Sequence, residues 1–279
     1  MRKITKKEKI LVSATSATIG MAVIVIAVTM LGSNVVARDN VIFGGLTIAF
    51  SLPAAIDYIE YRWKKSVEEK FPDFLREMAE RLRSGMSFYK ALEAAAKRDY
   101  GPLTEELKIL IYQISWGAKP EEAFQAFAKR IGTPLARRVS ILLLEVGKMG
   151  AKTAMVLETI GDFLRSIQLI EKEKTAELRI HMLTIYTAFL TFMIISAILV
   201  TKFFYPLYFS IAEYAGALKP LMTPIEARQL LLHMLSIEAI TSGLMAGKIS
   251  EKRISAGLKH AIILLAISLI IYNYLVKPI

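Results

Sequence analysis

Runs of about twenty apolar residues leave a chain few options, because such a run matches the hydrocarbon thickness of a bilayer. Its backbone polar groups must then be satisfied internally, so each run is expected to be a helix. Residues 10–32 and 41–59 form two such runs near the N-terminus, the second containing Gly44, Gly45 and Pro53. Residues 183–204, 227–246 and 258–276 form three more near the C-terminus. The first run follows the basic arm Arg2, Lys3, Lys6, Lys7 and Lys9, and no A-x-A cleavage site follows it cleanly, so it is expected to remain as a span. The fourth carries His233 and Glu238 and is the weakest candidate for a full crossing. Mean hydropathy of +0.44 and 54% hydrophobic residues agree with a multi-pass membrane protein.

Between the two groups of spans the pattern changes. Residues 60–182 carry charges every few positions, with apolar residues at helical spacing. Phe74, Leu75, Met78, Ala79 and Leu82 make one face, Leu107, Leu110, Ile111 and Ile114 a second, and Leu135, Val139, Leu142, Leu143 and Val146 a third. The expected organisation is a two-span membrane region (residues 1–59), a helical domain (60–182) and a second membrane region of about three spans (183–279). A short loop, residues 33–40, joins the first two spans, and its Arg38 and Asp39 cancel. The fold class is therefore all-α, with about five transmembrane helices and an antiparallel helical bundle.

Net charge is +11. Aromatic residues do not interleave with the basic ones on a platform, so nucleic acid is not the expected partner. The basic residues concentrate in the N-terminal arm, the middle domain and the loop holding Lys248, Lys252, Arg253 and Lys259. Five spans place all three on one side, which the positive-inside rule makes cytoplasmic.

The middle domain contains a repeat. Aligning Gly85 with Gly117 brings Ala91-Leu92 onto Ala123-Phe124 and Lys97-Arg98 onto Lys129-Arg130. Gly150 opens a weaker third copy, giving a period of about 32–33 residues, in the range of repeating helical hairpins. Each glycine is expected to end a helix in the left-handed conformation, with Ser87 capping the next helix after Gly85 and Pro120 opening the one after Gly117. Similarly, Thr223-Pro224-Ile225-Glu226 reads as an N-cap, a first-turn proline and the acid of a capping box.

Catalytic signals are weak. Residues 147–153 (GKMGAKT) have two glycines and a lysine but lack the phosphate-loop spacing and a preceding strand. The histidines His181, His233 and His260 have no metal-ligand spacing, and cysteine is absent. No cofactor is expected. Glu238 is the outstanding intramembrane polar residue, read either as a contact to another subunit or an ion path, or as a locally paired or protonated carboxylate. The basic pairs Lys97-Arg98, Lys129-Arg130 and Arg137-Arg138 admit three readings: solvated helix ends, contacts to anionic lipid, or contacts to an acidic partner.

FPDFLREMAERLRSGMSFYKALEAAA, residues 71–96, resembles the signature of the type II secretion system F domain family. QISWGAKPEEAF (113–124) and SGLMAGKISEKRISAGLKHA (242–261) are similar to its archaeal branch. That family supplies the membrane platform proteins of type IV pilus, type II secretion, Tad pilus and archaellum machines. The resemblance implies a non-enzymatic protein of the cytoplasmic membrane. It would dock a hexameric secretion ATPase and couple it to the handling of pilin-like subunits. One F domain where many relatives carry two implies pairing with a second copy or a sibling F-domain protein, and leans towards a pilus rather than an archaellum. The Gly-Glu-x-Ser-Gly turn of bacterial relatives is reduced here to Gly150. Candidate partner-contact residues are Arg81, Arg83, Lys97, Arg98, Lys129, Arg130, Arg137, Arg138 and Lys148, with Gly85, Gly117 and Gly150 as structural turns. The alternatives are a transporter, disfavoured by few interior charges and no inverted repeat, and a signal-relay protein, disfavoured by short outer loops.

Overall fold

A computed structural model describes residues 6–31, 35–149, 153–214 and 222–276. Among them there is no strand. The helices are α1 (Lys6–Met30), α2 (Val35–Glu68), α3 (Phe71–Arg83), α4 (Phe88–Ala95), α5 (Pro102–Ser115), α6 (Pro120–Ile131), α7 (Pro134–Met149), α8 (Thr153–Ile198), α9 (Tyr205–Tyr214), α10 (Pro224–Glu251) and α11 (Gly257–Leu275). A π-helical segment, Leu199–Phe204, joins α8 to α9. Among the described residues five helical runs are long and apolar enough to cross a membrane. The chain divides into two compact units, one built from Ile59–Lys174 and the other from Ile4–Tyr58 with Thr175–Ile279.

In the first unit, short amphipathic helices surround a core containing Phe71, Phe74, Met78, Leu92, Leu103 and Phe127. Of the expected faces, Leu82, Ile111, Ile114 and Leu135 pack at its margin, whereas Leu142 is 40% exposed. The neighbouring Leu143 takes the inward position on α7, so the stripe there is narrower than the apolar run suggests. The turns after α3 and α5 share one geometry. Gly85 lies at φ +90° and Gly117 at φ +87°. The Met86 N–H donates to Arg81 O at 3.2 Å and the Gly85 N–H to Leu82 O at 3.0 Å. The equivalent bonds at the second turn run from Ala118 to Gln113 and from Gly117 to Ile114, both 3.0 Å. This pattern satisfies carbonyls that the helix end would otherwise orphan, and it requires the left-handed residue. Ser87 occupies the N-cap of α4 with extended backbone, but its side chain makes no capping bond, contrary to expectation. Gly150 lies outside the described residues.

Tyr100 is buried in this core, edge-on to Phe74, and its hydroxyl has no hydrogen-bond partner among the described residues. Burial, reinforced by the Glu77 charge, pushes its phenol up to about 12. The unfolded phenol titrates near 10. Between these values the folded state holds the proton and the unfolded state does not, so the contribution is full below pH 10 and is lost as pH rises through 12. Tyr100→Phe is expected to be as stable as the parent at pH 7, or more stable by about 1 kcal/mol, because no bond is broken. The parent should then lose up to about 3 kcal/mol relative to the variant across the alkaline window. Thermal unfolding of both proteins in detergent against pH tests this. A variant that is clearly less stable at pH 7 would show that the hydroxyl is bonded.

The second unit packs Phe43, Phe189, Met193, Leu232, Leu235 and Leu264 inside. Ile10, Met21, Ile195, Ile237 and Ile270 lie exposed on its helices, as lipid-facing positions require. α2 begins at Val35, so Arg38 and Asp39 lie in a helix rather than in the expected loop. Pro53 sits inside α2 and cannot donate to the Ala49 carbonyl one turn back. The Ser16 hydroxyl of α1 approaches that carbonyl at 2.9 Å, and the Ile48 carbonyl at 3.0 Å. Gly20 and Gly45 let the two helices come that close. The third span also differs from expectation. Its helix continues through the π segment and past Phe204 into α9. Pro206 lacks an N–H and crowds the carbonyl of Lys202, and the wider π turn accommodates both effects. Thr223 and Glu226 form the capping box at the start of α10, with bonds of 3.2 and 2.8 Å.

α10 and α11 make the closest contact. Gly243 and Gly247 on α10 face Ala261 and Gly257 on α11. A methyl on Gly243 would stand 2.3 Å from the Ala261 Cα, and one on Gly247 would stand 2.0 Å from the Gly257 nitrogen. Small residues four apart on each helix allow this backbone approach, the way apolar helices associate in lipid.

Candidate docking surface

The nine basic candidates all lie on the helical unit, and the structure sorts them into two groups. Six are engaged by carboxylates. Arg81 and Arg98 converge on Glu77, at 2.6 and 2.7 Å. Arg83 pairs with Glu158 of α8. Lys97 lies 3.6 Å from Glu93 on its own helix turn. Lys148 bridges Glu121, at 3.4 Å, and Glu145, at 3.7 Å. The Glu121 carboxylate is held below the usual range, first by a backbone hydrogen bond and then by Lys148.

Arg130 makes the most developed contact. Its Nε donates to Glu106 at 2.7 Å, one Nη to Gln113 at 3.2 Å and the other to the Glu106 carbonyl at 3.3 Å. Glu106 is buried, so this bond set fastens α6 to α5 from within. Arg130 is therefore a structural residue, and sequence could not separate it from its neighbour Lys129.

Lys129, Arg137 and Arg138 form the second group. They are exposed and have no ion pair among the described residues. All three line one groove of about 850 Å³ between α6 and α7. Ala128 and Gly132 contribute its α6 side, and Ile141 and Leu144 its α7 side. Gly132, at φ +72°, ends α6 and turns the chain tightly into α7.

The second unit brings together polar groups whose partners the sequence does not reveal. Asp39 is 3% exposed and accepts from Gln229 at 2.9 Å, with Arg38 at 3.4 Å and His233 at 3.3 Å. Arg228 is 1% exposed. Its Nε donates to the Val276 carbonyl at 3.1 Å and one Nη donates to Asn273, which exchanges bonds with Asn40. Asp57 gathers Lys9 and Arg253, at 3.0 Å each. A charged residue within an apolar run was the available signal for Arg228 and Asp57. Glu238, the residue singled out from sequence, is half-buried in α10 and its carboxylate has no ion-pair partner among the described residues. The histidines do not meet: His233 faces Asp39, His260 bonds Tyr186, and His181 is exposed.

The family described as type II secretion system (T2SS), protein F, matches residues 74–201. Residues 74–201 thus match the type II secretion system F domain family, as the resemblance implied. The match starts in α3, takes in the α6–α7 groove and the paired cations, and runs along α8 into the π segment. An uncharacterized protein of Methanocaldococcus jannaschii is similar as well, at 25% identity over 237 residues. The alignment covers 85% of this chain but 38% of that relative, so the chain spans well under half of the relative's length. No solved structure matches.

Proposed function

We propose that this chain is a membrane platform subunit of a type IV filament assembly or type II secretion machine. The F domain, joined to five helices long enough to cross a bilayer, carries this reading. The N-terminal arm and the helical unit face the cytoplasm, where the basic segments favour them. The helical unit docks the secretion ATPase, and the membrane unit receives pilin-like subunits among the surrounding lipids. A second copy, or a sibling F-domain protein, completes the platform. The protein performs no catalysis itself and transmits the movement of its partner.

Two features of the helical unit suit that task. The turns at Gly85 and Gly117 have the same fixed hydrogen-bonded geometry. Arg130 with Glu106 fastens α6 to the preceding α5, and Arg83 with Glu158 ties α3 to α8. Both limit internal give, as a part that relays displacement requires.

Affinity purification of the tagged chain from its native membrane in mild detergent, after cross-linking, tests the reading. A secretion ATPase together with pilin-like proteins or an F-domain sibling is the expected result. A preparation of good yield containing neither would overturn the proposal and bring transport or signal relay forward.

A further inference from the structure

We propose that the α6–α7 groove is the docking site for an acidic, amphipathic helix of a protein partner. This inference rests on the platform reading and specifies the surface it would use. Six of the nine basic candidates are already neutralised by carboxylates of the bundle, and the three that are not line this one groove. Lys90 and Lys119 are also exposed without an ion pair among the described residues, so the convergence of three such cations on one groove is what singles it out.

The groove is apolar between its charges. Ile141 is 56% exposed and lies on the same face of α7 as Arg137 and Leu144, at i+4 and i+7 from the arginine. Across from it, Ala128 and Gly132 on α6 have little side chain to fill the space. α6 is 12 residues long, so the groove accommodates a helix of about three turns, roughly 18 Å. An apolar stripe laid into such a groove is a common mode of peptide recognition.

Charge is also graded along the groove. Lys129, Arg137 and Arg138 sit beside the turn at Gly132, while Glu121 stands at the opposite end, bound to Lys148. A phosphate headgroup layer would meet that carboxylate unfavourably. A helix with acidic residues in the turn nearest Gly132 and none at its other end complements the whole surface.

The test uses the full chain in phosphatidylcholine nanodiscs. The probe is a fluorescent peptide of about 14 residues, with leucines on one helical face and three glutamates in one terminal turn. Anisotropy should show saturable binding that weakens at least about ten-fold with R137E/R138E and is unchanged with K97E, whose site lies outside the groove. A scrambled peptide of the same composition should bind at least about ten-fold more weakly than the patterned one. R137Q/R138Q serves as a milder variant should charge reversal disturb folding. Equal binding of both peptides, or equal binding to R137E/R138E, would overturn the proposal. So would arginine-dependent binding of phosphatidylglycerol vesicles without peptide binding, which would make the groove a membrane contact. The two readings fail separately: if R137E/R138E still co-purifies undiminished with a secretion ATPase, the platform stands and the groove is not its docking site.

Discussion

Gly247→Ala is expected to destabilise the protein strongly, although alanine is the better helix former. In an open helical position this change stabilises by about 1 kcal/mol. Gly44 in α2 is such a position, with nothing within 4 Å of an added methyl, and Gly44→Ala should be neutral or mildly favourable. At Gly247 the same methyl would lie 2.0 Å from the Gly257 nitrogen and 2.1 Å from its Cα. Carbon atoms attract at about 3.5–4 Å and repel steeply below it, so α10 and α11 must separate. Separation there also opens the Gly243–Ala261 contact, because the two lie one turn apart on the same interface. A loss above about 4 kcal/mol, seen as a collapse in detergent melting temperature or in folded yield, is the expected result. Gly247→Leu should abolish folding altogether. Equal behaviour of Gly44→Ala and Gly247→Ala would mean that the helices do not approach this closely.

Arg228→Ala is the second large effect. The guanidinium is buried at the start of α10 and holds the end of α11 through the Val276 carbonyl and Asn273. The Tyr272 hydroxyl returns a bond to the Arg228 carbonyl at 3.3 Å. Truncation to alanine removes those donors and leaves a cavity where one of the largest buried side chains stood. The expected cost is about 3 kcal/mol or more. Arg228→Met keeps most of the volume without the donors, so it separates the two contributions. Methionine should recover about half of the loss, since replacing a buried polar group by an apolar one of similar shape costs less than truncating it. Thermal unfolding of the three proteins in one detergent decides. If both variants melt with the parent, Arg228 does not fasten α11 to α10.

The nine basic candidates show how far sequence reaches into the proposed docking surface. Their charge and helical placement can be read from sequence, but their availability cannot. Lys129 and Arg130 are adjacent, yet Arg130 is locked onto Glu106 and Gln113 while Lys129 lines the groove. The difference depends on which way α6 is rotated against α5, a relation between segments that no local pattern encodes. Asp39 presents the same problem. Beside Arg38 it reads as half of a cancelling pair, whereas the packed unit adds Gln229 and His233 from a helix about 190 residues away in sequence.

Hydrophobic periodicity and run length alone determined the all-helical class and the five membrane-length helices, because a bilayer and a 3.6-residue turn impose rules that each segment obeys by itself. Tertiary structure decided which polar groups are paired inside the protein and which stay exposed on its surface. It also turned glycines scattered through apolar runs into the contact of α10 with α11. Those outcomes depend on distances between backbones, and only packing sets them.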